Sequence, residues 1–171
     1  VKKLEGVDIL LVSLYVWNKN ISLAVAKEIK TINPDMLVIM GGPSVPNDAS
    51  EFMIEHNYID LCVHQEGEQT ILEIVDTLPN SNYIDIQGLS FRDDNGIIHN
   101  TGIRDRIRDF SLIPSPYLSG FFDELIEIVG DSHSWLASWE SNRGCPFACT
   151  YCDWGSATNS KVTRIELERA F

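Results

Sequence analysis

The sequence predicts an α/β fold with an open, parallel sheet. Short apolar runs of strand length alternate with segments of helical spacing, and glycine or proline separates many of them. Hydrophobic residues make up 44% of the 171 residues and charged residues 22%, which excludes a disordered or fibrous chain. Strands that alternate with helices are joined by right-handed crossovers, and such crossovers produce a parallel sheet.

Three strands, each followed by a helix, are expected in the first 80 residues. The runs VDILLVS and MLVIM are almost continuously apolar, which is typical of strands buried on both faces of a sheet. The expected strands are Val7–Ser13, Met36–Met40 and Leu61–Val63. Helical spacing of apolar residues predicts helices at Ile21–Ile32 and Glu68–Leu78, and a shorter helix is expected at Asp48–His56.

The pattern changes after residue 80. Gly88–Arg92 and Ile97–Asn100 flank an Asn-Gly pair and predict a hairpin. Thr101–Gly120 has no period and reads as an exposed connection, including its alternating arginines from Arg104 onward. A further strand is expected at Trp135–Glu140 and a helix at Thr163–Phe171.

Charge and hydropathy limit the possible partners. The net charge is −12, and residues 1–139 carry 21 of the 25 acidic but only nine of the 13 basic residues. Because an acidic surface repels phosphate backbones, no nucleic-acid partner is expected. The longest apolar run is far shorter than the ~20 residues of a membrane helix, so no membrane span is expected. An acidic chain with few cysteines and no visible leader is expected in the cytoplasm.

Both ends of the sequence predict that the chain is part of a longer protein. Residue 1 is Val1, and the last predicted helix has no C-terminal cap. Three parallel strands are also fewer than the five or six of a doubly wound sheet. We therefore expect the outer edge of the strand Val7–Ser13 to be open, or covered by another segment or another chain, which would allow oligomers.

Three cysteines carry the strongest chemical signal. Cys145, Cys149 and Cys152 have the spacing C-x3-C-x2-C, and soft thiolate ligands suit an iron–sulfur cluster or zinc. Structural zinc and closed clusters both require four protein ligands, so three cysteines leave one position open for a substrate or cosubstrate. Cys62 lies in an apolar run and is expected to be a buried small side chain.

The cysteine motif, with Arg143-Gly144 before its first cysteine and Tyr151 before its last, resembles the radical S-adenosylmethionine (SAM) superfamily. The resemblance implies that the three cysteines bind a 4Fe–4S cluster whose fourth iron binds SAM, and that Tyr151 packs near the adenine. It also implies that an electron donor protein reduces the cluster, which cleaves SAM to a 5′-deoxyadenosyl radical that attacks a small-molecule substrate.

The first 80 residues resemble a cobalamin-binding domain. Ser13-Leu14-Tyr15 ends one predicted strand, Gly41-Gly42 ends the next, and 25 residues separate Tyr15 from Gly41, close to the interval of that family. The resemblance implies that the serine hydroxyl and the glycines contact the dimethylbenzimidazole tail of cobalamin at the carboxyl ends of the strands. Glu66-Gly67 is a further matching segment and is expected to contact the cofactor.

The sequence also departs from the pattern of that family. Tyr15 stands where the family has leucine, and Gln65 stands where it often has glycine. The segment whose histidine ligates cobalt in some members would lie before Val1. The four histidines of the chain are not expected to be ligands, with His64 the nearest exception because it follows a strand end.

Together, the resemblances imply a fragment of a cobalamin-dependent radical SAM enzyme, similar to the anaerobic magnesium-protoporphyrin monomethyl ester oxidative cyclases and the radical methyltransferases. The expected domains are a partial Rossmann-like or flavodoxin-like cobalamin-binding sheet (1–80), a hairpin and linker (81–131), and the start of a radical SAM (β/α) barrel (132–171). The reaction would be methyl transfer or oxidative cyclisation, and this chain alone is expected to be inactive. One alternative is a non-enzymatic cobalamin-binding or zinc-binding module with a degenerate cluster loop. A third possibility is a radical SAM enzyme whose α/β domain no longer binds cobalamin.

Overall fold

The computed structural model describes residues 6–78, 82–138, 140, 142–147, 149–151 and 162–165. The chain divides into two compact units, Val1–Asp105 and Arg106–Phe171. No helix among the described residues is both long enough and apolar enough to cross a membrane.

The first unit is built on a five-stranded sheet in which the strands follow one another in chain order. The strands are β1 (Ile9–Ser13), β2 (Leu37–Gly41), β3 (Leu61–Val63), β4 (Leu89–Arg92) and β5 (Ile98–Asn100). The first three strands are parallel, and β4 and β5 are antiparallel to their neighbours. Among the described strands β1 pairs only with β2, so its other edge is open, as the sequence predicts.

Helices pack on both faces of this sheet because successive side chains of a strand point in opposite directions. The helices are α1 (Lys19–Ile32), α2 (Ser50–Glu55) and α3 (Glu68–Thr77). Val38 and Met40 of β2 join one buried cluster with residues of α1 and α2. Ile39, between them in β2, joins a second buried cluster with Ile74 of α3. Strand β2 therefore contributes to both buried clusters.

A half-buried ion pair fixes the amino ends of β2 and β3. The ammonium of Lys30 in α1 lies 2.8 Å from Asp60 Oδ2 and donates to the Met36 carbonyl oxygen at 2.7 Å. The same Asp60 oxygen accepts a hydrogen bond from the backbone N–H of Val38 at 2.8 Å. One carboxylate thus joins α1, β2 and the residue that precedes β3.

The predicted strands and helices of the first 100 residues are confirmed, with ends shifted by one or two residues. The hairpin is also confirmed, but the structure adds it to the parallel strands, with β4 paired to β3. The predicted domain boundaries after residues 80 and 131 stay predictions. The exposed connection predicted from Thr101 is wrong at Arg104, because its guanidinium binds both carboxylate oxygens of Glu73 and donates from Nε to Thr70 Oγ1 at 3.0 Å.

The second unit contains short elements. They are a 3-10 turn at Phe110–Leu112, helix α4 (Asp123–Val129), a 3-10 turn at Gly130–Ser132, and strands β6 (Asn142–Arg143) and β7 (Thr163–Arg164). The two strands form an antiparallel pair. The described residues of this unit do not form a barrel, so the radical SAM barrel of the predicted fold stays a prediction.

Two predictions for the second unit are wrong. The expected strand at Trp135–Glu140 is not formed by its described residues, which are exposed and so lack the buried face that an isolated strand needs. The expected helix that starts at Thr163 is replaced over Thr163–Arg164 by a strand, because β6 supplies a pairing partner for a β-branched residue. Residues 166–171 of that helix lie outside the described residues.

Candidate functional site

The three parallel strands end at the same edge of the sheet. Ser13 closes β1 and lies in register with Gly41, which closes β2, and β3 ends beside them at Val63. In open α/β sheets, ligands bind in the crevice outside these carboxyl ends. The sequence-predicted residues Ser13 and Gly41 are therefore brought together at the expected edge.

Gly42 is required by the packing of the chain against itself. The backbone N–H of Leu14 donates to the Gly41 oxygen at 2.7 Å, and the N–H of Ser44 donates to the Leu14 oxygen at 3.1 Å. A Cβ on Gly42 would lie 2.8 Å from the Leu14 oxygen and 2.9 Å from Ser13 Oγ, and Gly42 has a φ of +92°. Only glycine fits this backbone without strain.

Gly41 has no such requirement. A Cβ on Gly41 would meet only Val63, with its nearest atoms at 3.9 Å, which is ordinary van der Waals contact. The packing of the protein therefore gives no steric reason for glycine at this position. A glycine leaves the backbone at the end of β2 open to close approach by a ligand, and this is the observation by which the crevice fits a bulky cofactor.

A closed turn follows β1 and carries Tyr15. Asn18 Oδ1 accepts from the Tyr15 N–H at 2.8 Å, and Asn18 Nδ2 donates to the Ser13 oxygen at 3.0 Å. The Tyr15 ring stacks on Trp17 with centroids 4.5 Å apart and an angle of 15° between the planes. Trp17 is not among the site residues predicted from the sequence, although Asn18 is a signal for a turn at this position.

His64, directly after β3, has a structural position. Its side chain is only 3% exposed, and Nε2 lies 2.8 Å from Ser90 Oγ of β4. The backbone N–H of His64 donates to the Gly88 oxygen at 2.9 Å. Burial lowers the pKa of the imidazole, and the nearby carboxylate of Asp48 opposes that shift only in part. His64 therefore joins the parallel strands to the hairpin as a neutral side chain.

Glu66 and Gly67 lie on the same edge, between the end of β3 and the start of α3. Gly67 precedes Glu68, the first residue of α3, and its oxygen accepts from the Ile71 N–H at 2.8 Å. A Cβ on Gly67 would lie 3.1 Å from Val63 Cγ1, so packing against β3 favours glycine here. Their predicted contact with a cofactor stays a prediction.

The cysteine loop, residues 143–152, lies in the second unit. Cys145 and Cys149 are half-buried free thiols, Gly144 has a φ of +100°, and Tyr151 is 90% exposed. Cys152, the third predicted ligand, lies outside the described residues. Among the described residues no group of three potential metal ligands is gathered, so the geometry of a metal centre stays a prediction.

Arg143 anchors the start of this loop. Its Nε donates to Glu140 Oε2 at 2.9 Å, and its guanidinium lies over the Phe110 ring at 5.0 Å from the centroid. By contrast, the remaining cysteine, Cys62, is fully buried in β3, and burial raises the pKa of its thiol to about 12. Its expected role as a buried apolar side chain is confirmed, whereas Cys145 and Cys149 are only half-buried.

Comparison with known proteins shows what the chain is similar to. Residues 2–75 match the B12 binding domain. The chain is 37% identical over 165 residues to "Cobalamin-dependent radical SAM methyltransferase TokK" of Streptomyces tokunonensis, covering 95% of this chain and 24% of that protein. It is 25% identical over 135 residues to the "Anaerobic magnesium-protoporphyrin IX monomethyl ester cyclase" of Rubrivivax gelatinosus, covering 77% and 23%.

The fold also matches a solved structure. The cobalamin-dependent SAM radical enzyme OxsB, solved with aqua-cobalamin and SAM, aligns with a TM-score of 0.69 at 20% identity. The alignment covers 99% of this chain and 23% of OxsB. The chain therefore spans about a quarter of the length of the relatives that it matches.

Proposed function

We propose that the full-length protein is a cobalamin-dependent radical SAM methyltransferase, because residues 2–75 match the B12 binding domain and the chain is 37% identical over 165 residues to a protein of that name. Cobalamin would bind at the carboxyl ends of β1 and β2, with Ser13, Tyr15, Gly41 and Gly42 in contact with its nucleotide tail. Glu66 and Gly67 would contribute from the end of β3.

The absence of a packing reason for Gly41 carries the proposal. A methyl group at this position would meet the protein only at 3.9 Å, so the packing of the protein itself does not require glycine here. The hydroxyl of Ser13, in register with Gly41, supplies a hydrogen-bonding group beside the open backbone. This combination suits a flat, weakly polar ligand group that must approach the sheet edge closely.

The cysteine loop would hold the second cofactor. Cys145, Cys149 and Cys152 would bind a 4Fe–4S cluster with one iron free for SAM, and the cluster, when reduced by an electron donor protein, supplies the electron that cleaves SAM to a 5′-deoxyadenosyl radical. Gly144, with its left-handed backbone, lets the chain curl ahead of the thiols. Arg143 fixes the start of the loop through Glu140 and Phe110, and Tyr151, largely exposed, is free to pack against the adenine.

Methyl transfer to a small molecule is the favoured reaction. The identity to the methyltransferase is 37% over 95% of this chain, against 25% over 77% for the cyclase. Oxidative cyclisation is the second candidate, because the cyclases share the same B12-binding region. A cytoplasmic location is part of this proposal, since the cluster requires cysteines that remain reduced. An oligomer through the open edge of β1 is a further part of it.

Anaerobic reconstitution of the full-length protein tests the proposal. Iron and sulfide should give a visible sulfur-to-iron absorption band that changes when SAM is added. A reductant should then release 5′-deoxyadenosine, and the Cys149→Ala variant should lose both signals. Stoichiometric zinc without that band would favour the non-enzymatic alternative. Titration with hydroxocobalamin tests the crevice separately, and binding that is equal in the wild type and in Gly41→Val would contradict the assigned site.

A further inference from the structure

Arg104 is held by several groups at once, which we call the Arg104 network. Its Nε donates to Thr70 Oγ1 at 3.0 Å and to the Gln87 carbonyl oxygen at 3.2 Å. Its two terminal nitrogens donate to the two carboxylate oxygens of Glu73. The side chain of Arg104 is only 16% exposed and that of Glu73 is 33% exposed. A bidentate pair of this kind is stronger and better defined than an ordinary surface ion pair.

The surrounding backbone leaves room for this arginine. Gly88 has a φ of +77°, and a Cβ at this position would lie 3.2 Å from both Arg104 Cβ and Thr70 Oγ1. Thr70 is fully buried in α3, and its hydroxyl donates to the Gln87 oxygen at 3.1 Å. Glycine at position 88 is therefore needed both for its backbone conformation and for the close packing of Arg104.

The Arg104 network lies where the chain leaves the first unit. Strand β5 ends at Asn100, and the backbone N–H of Thr101 still donates to the Leu89 oxygen at 2.9 Å. Arg104 follows shortly afterwards, and the first unit ends at the next residue, Asp105. The network therefore fixes the point from which the chain continues toward the cysteine loop.

The proposed reaction needs the two cofactors to meet, although they are proposed to bind to different units. When a low-potential reductant has converted cobalamin to its cobalt(I) form, the metal attacks the methyl carbon of SAM with an electron pair. The carbon–sulfur bond breaks, the cobalt–carbon bond forms, and S-adenosylhomocysteine leaves. Such a displacement is sensitive to small errors in the placement of the reacting atoms.

We infer that Arg104 is a positioning residue for the proposed methyl transfer, which acts through Glu73 and Thr70 to fix the start of the connection between the two units. This inference rests on the proposed function, and it assigns Arg104 no contact with either cofactor. Loss of the network should therefore spare cobalamin binding and SAM cleavage. It should slow only the step that needs both cofactors.

Proteolysis of the full-length protein tests the anchoring without any cofactor. Trypsin cuts after arginine, but cleavage after Arg104 requires the chain to leave the network. Glu73→Gln removes the carboxylate and keeps the arginine, so it should speed this cleavage about tenfold, as followed by mass spectrometry. Lys30→Met is the matched control, because it breaks an ion pair of similar exposure, 21% and 30%, at the amino ends of the strands. It should leave the rate of cleavage after Arg104 unchanged.

Three measurements on the anaerobically reconstituted full-length protein separate positioning from folding. Hydroxocobalamin binding reports on the first unit, and release of 5′-deoxyadenosine reports on the second. Formation of methylcobalamin from SAM, with titanium(III) citrate as the reductant, requires both. Glu73→Gln and Arg104→Lys should keep the first two within about twofold and slow the third roughly tenfold, since lysine cannot form the bidentate pair. Lys30→Met should keep all three.

Each other outcome overturns the inference in a distinguishable way. Equal cleavage after Arg104 in wild type and Glu73→Gln, or equal acceleration in Glu73→Gln and Lys30→Met, would show that the pair does not anchor this segment. An unchanged rate of methylcobalamin formation would show that the anchor does not position the cofactors. Weaker hydroxocobalamin binding in Glu73→Gln would assign the pair to the fold of the first unit. If the wild type binds neither hydroxocobalamin nor SAM, the proposed function itself fails.

Discussion

Substituting each of the two adjacent glycines after β2 separates packing from ligand binding. Gly42→Ala places a methyl group 2.8 Å from the Leu14 oxygen on a backbone with a φ of +92°. A left-handed conformation costs a non-glycine residue about 1–3 kcal/mol, and backbone must also move to relieve the contact. We expect a loss of about 2–4 kcal/mol in the free energy of unfolding, and a fall in melting temperature of about 10 °C or more for a unit of this size.

Gly41→Ala should behave in the opposite way. Its methyl group meets Val63 at an ordinary 3.9 Å, and replacing glycine by alanine on a compatible backbone stabilises a protein by about 0.4–1 kcal/mol because it restricts the unfolded chain. The free energy of unfolding should therefore stay equal or rise slightly. Cobalamin affinity should nevertheless fall about tenfold or more, because overpacking a tight contact costs about 1–3 kcal/mol.

Two measurements on the same variants check this pair. Urea denaturation followed by circular dichroism gives the free energy of unfolding, and dialysis of the full-length protein against hydroxocobalamin gives the affinity. An equal loss in the free energy of unfolding for Gly41→Ala and Gly42→Ala would contradict the packing difference between the two glycines. The reasoning is also refuted if Gly41→Ala binds cobalamin as tightly as the wild type, because the glycine would then have no ligand to accommodate.

Three further predictions concern stability and reactivity. Asp60→Ala removes the partner of Lys30 and of the Val38 backbone N–H. It should therefore lower the free energy of unfolding, measured by urea denaturation, by about 1–3 kcal/mol. An unchanged denaturation midpoint would contradict the role of this carboxylate. The pKa of His64 is lowered in the folded protein, so its contribution to stability is complete above the unfolded value of about 6.5 and is lost as the pH falls toward the folded value. Denaturation at several pH values should show this loss in the wild type and not in His64→Gln, and equal slopes in both would argue against it. Iodoacetamide at neutral pH should label Cys145 and Cys149 and spare Cys62, because Cys62 is buried and the pKa of its thiol is about 12. Mass spectrometry that finds Cys62 labelled in the folded chain would contradict its burial.

The first three strands could be predicted from sequence because their apolar runs are a local property. The sheet position of the hairpin could not, since it depends on the pairing of Val63 with Leu89 across an intervening helix. Helix α4 was missed for a different reason: it has only seven residues, which is too short a segment for helical periodicity to be recognised. The strand expected at Trp135–Glu140 shows the reverse error, where apolar residues were read as buried without a surface to cover them.

The candidate site was predictable where it depends on residue type and order. Ser13 and Gly41 were placed together because strand ends of a parallel sheet meet at one edge. The difference between Gly41 and Gly42 was not predictable, because it depends on distances of less than 4 Å to Leu14 and Val63. The Arg104–Glu73 ion pair was missed as well, since the two residues are 31 positions apart.

Strand β2 has a dynamic consequence for the proposed cofactor. It is hydrogen-bonded on both sides and contributes to both apolar clusters, so its amide protons should exchange with solvent only when the whole unit opens. Gly41 ends this strand. A cofactor that contacts Gly41 would therefore bind the part of the unit that opens most slowly. Because binding stabilises the folded unit, deuterium uptake should become slower in the helices on both faces of the sheet when the cofactor is bound.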